Sequence, residues 1–277
     1  MALADSHSDV LTVDGPAGVG KSSVARRVAM RLGFFHLDTG AMYRAVTLAA
    51  LRAGVATAAQ ADEARLAPVL AHWVGTERVG TASVGTEPSS ERGASGRRMR
   101  VGGGGKVWLD DEDVSNEVRG AAVTALVSPV SAVPSVRAAL VEWQRALGAE
   151  QATRFGGVVV EGRDAGSHIF PHARWRFYLD ASLLERAHRR LHQQAGTPAD
   201  PHELTATMEG LAQRDRIDRE RTVAPLCIPD GATVLDTTHL ALEQVVDAIC
   251  AVVAAARGAK SSDRLRDQRP PGSGAAP

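Results

Sequence analysis

Val10 to Val13 is a short apolar run that breaks at Asp14-Gly15-Pro16. From about Gly20 the apolar positions shift to helical spacing, with Val24, Val28 and Leu32 on one face and Gly33 as the stop. This pattern predicts strand, glycine turn, helix. Phe34 to Leu37 reads as a second strand, followed by a helix from Gly40 to about Ala53 that Gly54 ends. Residues 157–161 and 175–179 are continuous apolar or aromatic runs bounded by turn residues, and so is Ala232 to Leu235. Runs of this kind predict strands covered on both faces. A last helix from about His239 sets Leu242, Val245, Val246, Ile249, Val252 and Val253 at the spacing that packs on a sheet. Ser182 and Glu185 have the spacing of a capping box, so an arginine-rich helix is expected just after the strand ending at Asp180. Strands alternating with helices predict a parallel α/β core.

Two segments break the pattern. Residues 75–106 are rich in Gly, Ser, Thr and Arg, culminate in Gly102 to Gly105, and predict a mobile insertion or short edge strands. Residues 258–277 are polar and rich in Pro and Gly, and predict a disordered tail. The 277 residues are 44% hydrophobic, enough for a substantial core. Thirty-two basic residues balance thirty-two acidic ones, so no global positive field gathers nucleic acid or an anionic membrane, and any polyanion site must be local. Cys227 and Cys250 are too few for a disulfide framework and are expected to be buried thiols in a reducing compartment. The N-terminus lacks a basic start and apolar run, and the later apolar stretches are interrupted by Pro134, Glu243 or Asp247. A cytoplasmic monomer without membrane or nucleic-acid partners is expected.

Gly15-Pro16-Ala17-Gly18-Val19-Gly20-Lys21-Ser22 satisfies the Walker A spacing between a predicted strand and a predicted helix, the context such a match requires. Glycines let backbone N–H groups converge on phosphate oxygens, and the following helix adds the positive end of its dipole. Lys21 can bridge the β- and γ-phosphates of ATP, and the Ser22 hydroxyl can face Mg²⁺. The nucleotide-binding segment is thus Gly15 through Ser23. The bland alternative is a glycine-rich turn that holds no ligand.

A phosphate-binding loop does not by itself separate kinases from GTPases, motors or remodellers. No Asn-Lys-x-Asp run of the guanine-reading kind is present. Arginines stand instead in several separate segments: Arg44, Arg137, Arg163, and the group Arg186, Arg189, Arg190, Arg214, Arg216, Arg219 and Arg221. Dispersed guanidiniums suit two converging phosphate groups.

Six segments, LDTGAMYRA (37–45), EDVSNEVR (112–119), VEGRDAG (160–166), FYLDAS (177–182), ERAHRR (185–190) and RDRIDRERTVAPL (214–226), resemble bacterial cytidylate kinases in order and content. The resemblance runs from about Val10 to Ala254, apart from the glycine-rich insertion. It implies an α/β P-loop fold in one domain, 9–257, with a parallel central sheet flanked by helices. A monophosphate-binding insertion would occupy about 55–110 and a helical lid about 186–222.

The activity it implies is transfer of the γ-phosphate of ATP to CMP or dCMP, with Mg²⁺. The family's acceptor-site positions fall on Thr39, Arg44, Ser128, Arg137, Arg163, Asp164, Arg214, Asp218 and Arg221. On that mapping Arg44, Arg163 and Arg221 hold the acceptor phosphate, Arg214 and Asp218 contact the sugar, and Ser128, Arg137 and Asp164 read the base. Lys21, Arg163, Arg190 and Arg221 are the catalytic set. Cytosine offers an amino donor beside acceptor atoms, so a carboxylate and a guanidinium match it, whereas uracil would set a carbonyl oxygen against Asp164.

Each arginine could instead be an ordinary surface ion pair, Arg186 to Arg190 a solvated helix face, and Asp164 a partner of Arg163. Thr39 stands where serine is common in the family, and Glu161 where aspartate is more usual. Pro129 is expected to force Ser128 into extended geometry, weakening its base contact. Two rival readings are a P-loop kinase for another small acceptor and a nucleotide-dependent nucleic-acid-binding module using the arginine-rich helices.

Overall fold

A computed structural model describes residues 9–55, 63–74, 99–195 and 200–267. The first apolar run forms β1 (Asp9–Asp14) and its periodic sequel α1 (Lys21–Leu32), which Gly33 closes at a φ of 68°. β2 (Phe35–Asp38) leads into α2 (Thr39–Arg52). Asp38 caps that helix by accepting the Ala41 N–H at 2.9 Å, so it starts one residue earlier than the pattern predicted. β6 (Gly157–Glu161), β7 (Trp175–Asp180) and β8 (Thr233–Asp236) complete a five-stranded parallel sheet in the order β2-β6-β1-β7-β8.

Every residue of β6 is buried, as a continuous apolar run demands. Alternate residues enter different cores: Val158 and Val160 face one side, Val159 the other. The Val159 side is filled by Leu11, Val13 and Phe177 together with Val24 and Val28 of α1 and Val245, Val246, Ile249 and Val253 of the final helix α8 (Leu242–Asp267). The opposite core takes α2, α3 (Glu63–Trp73), α4 (Ala121–Ala132) and α5 (Pro134–Phe155). α6 (Leu183–Ala195) and α7 (Pro201–Glu220) form a helical hairpin beyond the sheet's carboxyl edge.

Several expectations need correction. β8 is an edge strand with Thr233, Val234 and Asp236 exposed, because only β7 pairs with it. α8 starts at Leu242 rather than His239 and leaves Val252 outside the core. It continues through Asp267, ten residues into the segment read as a disordered tail. Cys227 is exposed and Cys250 half-buried, so neither is a core thiol. Only half of the capping box forms: Ser182 Oγ accepts the Glu185 N–H at 3.2 Å, but the Ser182 N–H goes to Thr238 and the Glu185 carboxylate to Arg189. The glycine-rich insertion supplies β3 (Met99–Gly102), which pairs with β4 (Lys106–Leu109) in an antiparallel sheet completed by β5 (Glu112–Asp113), while 75–98 lie outside the described residues. Among the described residues no single helix is long and apolar enough to cross a membrane. α4 and α5 are apolar as a pair but bent by 94°, and their buried residues serve the core.

Gly15 carries the tightest backbone constraint. Its φ is 149°, and a Cβ there would stand 2.2 Å from the Leu179 carbonyl oxygen on the neighbouring strand. Gly15→Ala should therefore destabilise the protein by about 2–4 kcal/mol through strain and overpacking, read from urea unfolding. A loss under about 0.5 kcal/mol would mean that the loop is free to shift.

Candidate active site

All five parallel strands end in a carboxylate, Asp14, Asp38, Glu161, Asp180 and Asp236, and register aligns Val13 and Asp38 with Glu161. Ligands of open parallel sheets bind beyond this edge, where loops and helix N-termini gather. Here the turn between β1 and α1 lies beside a cleft of about 920 Å³ lined by Gly18, Val19, Gly20, Lys21, Ser22 and Ser23. Gly18 and Gly20 hold φ values of 79° and 97°, the left-handed backbone from which anion-binding nests are built. Gly15 and Pro16 stand behind that wall and meet the Lys21 ammonium with their carbonyls, at 2.7 and 2.6 Å. Burial and the nearby Arg163 push the Lys21 pKa well down.

Ser22 Oγ donates to Glu161 Oε2 at 2.7 Å, and the other Glu161 oxygen meets His36 Nε2 at 2.9 Å. Glu161 lines the cleft and His36 stands behind it as its buried partner; sequence reasoning gave neither a role in the site. Their signal was position: each is a polar residue in a buried strand, at or near its carboxyl end. Although burial opposes ionisation, the His36 and Ser22 hydrogen bonds and the Lys21 charge hold the Glu161 carboxyl below its usual range. Thr39 Oγ1 donates to the Glu161 carbonyl at 2.7 Å, which joins the start of α2 to the end of β6.

Across the cleft the dispersed arginines meet. Arg44, Arg163, Arg190, Arg214 and Arg221 all line it, from α2, the turn after β6, α6, α7 and the residue following α7. Arg44 is braced by the Val118 carbonyl at 3.1 Å and the Thr124 hydroxyl at 2.9 Å, and Arg163 Nε pairs with Asp218 at 2.9 Å. Arg190 makes no hydrogen bond or ion pair with another described residue, and the buried Arg214 Nε has no hydrogen-bond partner among them. Burial first, then repulsion from neighbouring guanidiniums, pushes Arg44 and Arg214 down to about 10. A cluster of cations that depress one another would be relieved by an anionic ligand.

The base-site candidates Ser128, Arg137 and Asp164 are all buried. Asp164 is buried between two guanidiniums, hydrogen-bonded to Arg137 Nη2 and ion-paired with Arg221 Nη2 at 3.2 Å. The expected alternative partner Arg163 pairs with Asp218 instead. Arg137 is only 1% exposed and stands behind the cleft wall, bonded to the Ser131 carbonyl at 3.2 Å and stacked over the Tyr43 ring at 5.3 Å. The structure thus sets Arg137 against Asp164 rather than on the cleft surface. Ser128 does line the cleft, but within α4. This corrects the extended geometry expected from Pro129: α4 buries Val123, Leu126, Val127 and Val130, and that packing outweighs one missing N–H donor.

The arginine-rich hairpin is not a solvated face. Arg186 is buried and donates to the Ala17 carbonyl at 2.9 Å and to Asp215 at 2.5 Å, while the Ala17 N–H donates to Asp215 at 2.9 Å. Arg189 reaches the Val19 carbonyl at 3.1 Å. Arg216 donates to Gln213.

A glycine-lined phosphate nest at the carboxyl edge of a β2-β6-β1-β7-β8 sheet, with arginines from five segments opposite, places the chain among the P-loop kinases. Comparison with known proteins narrows this. The family model described as cytidylate kinase matches residues 11–255, and the chain belongs to that family. It is 43% identical over 242 residues to the cytidylate kinase of Symbiobacterium thermophilum, covering 87% of this chain and 93% of the relative. It is 41% identical over 249 residues to that of Pelotomaculum thermopropionicum, covering 89% and 96%. A bifunctional pantoate ligase/cytidylate kinase of a Synechococcus strain matches at 43% over 87% of this chain and 39% of its own length.

Proposed function

We propose that this chain transfers the γ-phosphate of ATP to CMP or dCMP, giving CDP or dCDP. The observation that carries the reading is Asp164. A buried carboxylate between two guanidiniums stands in the same cleft as the phosphate nest, and a carboxylate there would accept cytosine's amino group and oppose the uracil carbonyl.

The acceptor phosphate oxygen is already ionised, so no general base is needed; positioning and charge neutralisation dominate. Arg44, Arg163 and Arg221 hold the acceptor phosphate, with Arg214 and Asp218 toward the sugar. Lys21, now on the Gly15 and Pro16 carbonyls, swings toward the triphosphate. The hard oxygens of Ser22 and Glu161, 2.7 Å apart, suit Mg²⁺, which takes few protein ligands and keeps phosphate oxygens and water. When bound, it would neutralise phosphate charge. Helices α6 and α7 act as the lid over about 186–222, bringing Arg190 to the transferring group and excluding water. Their mostly polar contacts with the phosphate loop, plus a small apolar cluster of Ala17, Ala187 and Leu211, suit a hairpin that docks and releases. With zero formal net charge, the protein acts on free nucleotides in the cytoplasm rather than on nucleic acid.

The test is a coupled assay of the purified protein with ATP, Mg²⁺ and each nucleoside monophosphate in turn. CMP and dCMP should be turned over with kcat/KM at least about 100-fold above UMP. Comparable turnover of UMP and CMP would remove the base-reading role. Salt-sensitive binding of DNA or RNA without kinase activity would favour the rival module.

A further inference from the structure

Asp14 ends β1 one residue before the phosphate-binding turn, and the reaction as described gives it no part. Alternation along β1 sends Leu11 and Val13 into the core beneath α1 and α8, so Thr12 and Asp14 project from the other face of the sheet. There Asp14 is fully buried. Its two carboxylate oxygens accept the N–H groups of Ala165 at 2.8 Å and Gly166 at 2.7 Å, the two residues that directly follow Arg163 and Asp164. Glycines bracket this contact. A Cβ on Gly162 would stand 3.6 Å from Oδ1, and one on Gly166 would stand 3.2 Å from Oδ2 and 2.6 Å from Thr12 Oγ1.

We propose that Asp14 is a positioning residue that ties the turn bearing Arg163 and Asp164 to the strand bearing the phosphate loop, and so sets the acceptor nucleotide's distance from ATP. The inference rests on the reading of Asp164 as the cytosine contact. Burial pushes the Asp14 carboxyl up to about 7 despite both N–H donors, with the Asp164 charge adding to the rise and Lys21 opposing it. The fold therefore keeps an acid where its charged form is disfavoured, a cost that simple space-filling would not require. A double N–H grip needs two acceptor oxygens on one side chain, which among residues of this size only a carboxylate supplies.

Asp14→Asn keeps the shape but aims an amide donor at one of the two N–H groups. Calorimetry on the full chain should show CMP affinity down by about 10- to 100-fold, with ATP affinity changed by less than about threefold. The ratio of kcat/KM for CMP over UMP should narrow in parallel, a change that loss of fold alone would not produce. Unchanged CMP affinity and base preference would overturn the proposal. So would equal losses of CMP and ATP binding, which would assign Asp14 to the ATP site. If D14N does not fold, Gly166→Ala, which enters the same contact from the other side, decides by the same split. Wild-type protein measured alongside separates this inference from the reading beneath it. A wild type that does not favour CMP over UMP sinks the base assignment, whereas a wild type and a D14N that favour CMP equally sink only the anchor.

Discussion

Lys21→Ala should lower kcat by about 10²- to 10³-fold while the protein still folds. The ammonium is buried at the start of α1 and makes its hydrogen bonds to the Gly15 and Pro16 carbonyls, so it is already held within the loop that would receive the triphosphate. Its surroundings mix Arg163, which depresses it, with Glu161, Asp215 and Asp14, which support its charge. Removing it deletes the one lysine of the loop, whose charge would offset the growing negative charge between the β- and γ-phosphates. The α1 backbone, packed through Val24 and Val28, is untouched. The measurement is steady-state kinetics with a thermal melt beside it. A kcat within about threefold of wild type, with the melt unchanged, would remove Lys21 from the chemistry.

Asp164 should carry the largest combined effect on stability and selectivity. Its carboxylate lies between Arg137 and Arg221, all three buried. Asp164→Ala strands two guanidiniums without their counter-charge, and breaking a buried pair in this way costs about 3–5 kcal/mol. Urea unfolding reads this directly; a loss below about 1 kcal/mol would mean that water or another acid already compensates the arginines. Asp164→Asn separates selectivity from stability. The amide keeps the volume and can donate to the uracil carbonyl, so the CMP-over-UMP ratio of kcat/KM should fall by about 100-fold or more. An unaltered ratio would place base reading elsewhere.

These outcomes turn on features that differ in how far the chain itself reveals them. The phosphate loop was legible because its determinants are local: an apolar strand, glycines at fixed spacing, a lysine and serine opening a helix, all within about fifteen residues. The parallel core was legible for the same reason, since β1, α1, β2, α2, β6 and β7 each announce themselves by periodicity within a few residues of their observed bounds. The acceptor residues were named through resemblance, and the structure brings most of them to one cleft.

What the chain alone did not reveal was pairing over long separations. Arg163 chose Asp218 over its neighbour Asp164, and Asp164 took Arg137 and Arg221, because strand order and helix packing, not adjacency, decide which side chains share a buried space. The same holds for Ser22 with Glu161, 139 residues apart, and for Asp14 beneath Ala165 and Gly166. Ser128 is helical before a proline because four buried apolar side chains of α4 outweigh a local preference. By itself the sequence determined the nest for one nucleotide's phosphates. Only the tertiary structure decided which charges face one another across the cleft, since burial makes an unpaired charge costly and the nearest opposite charge in space is seldom the nearest along the chain.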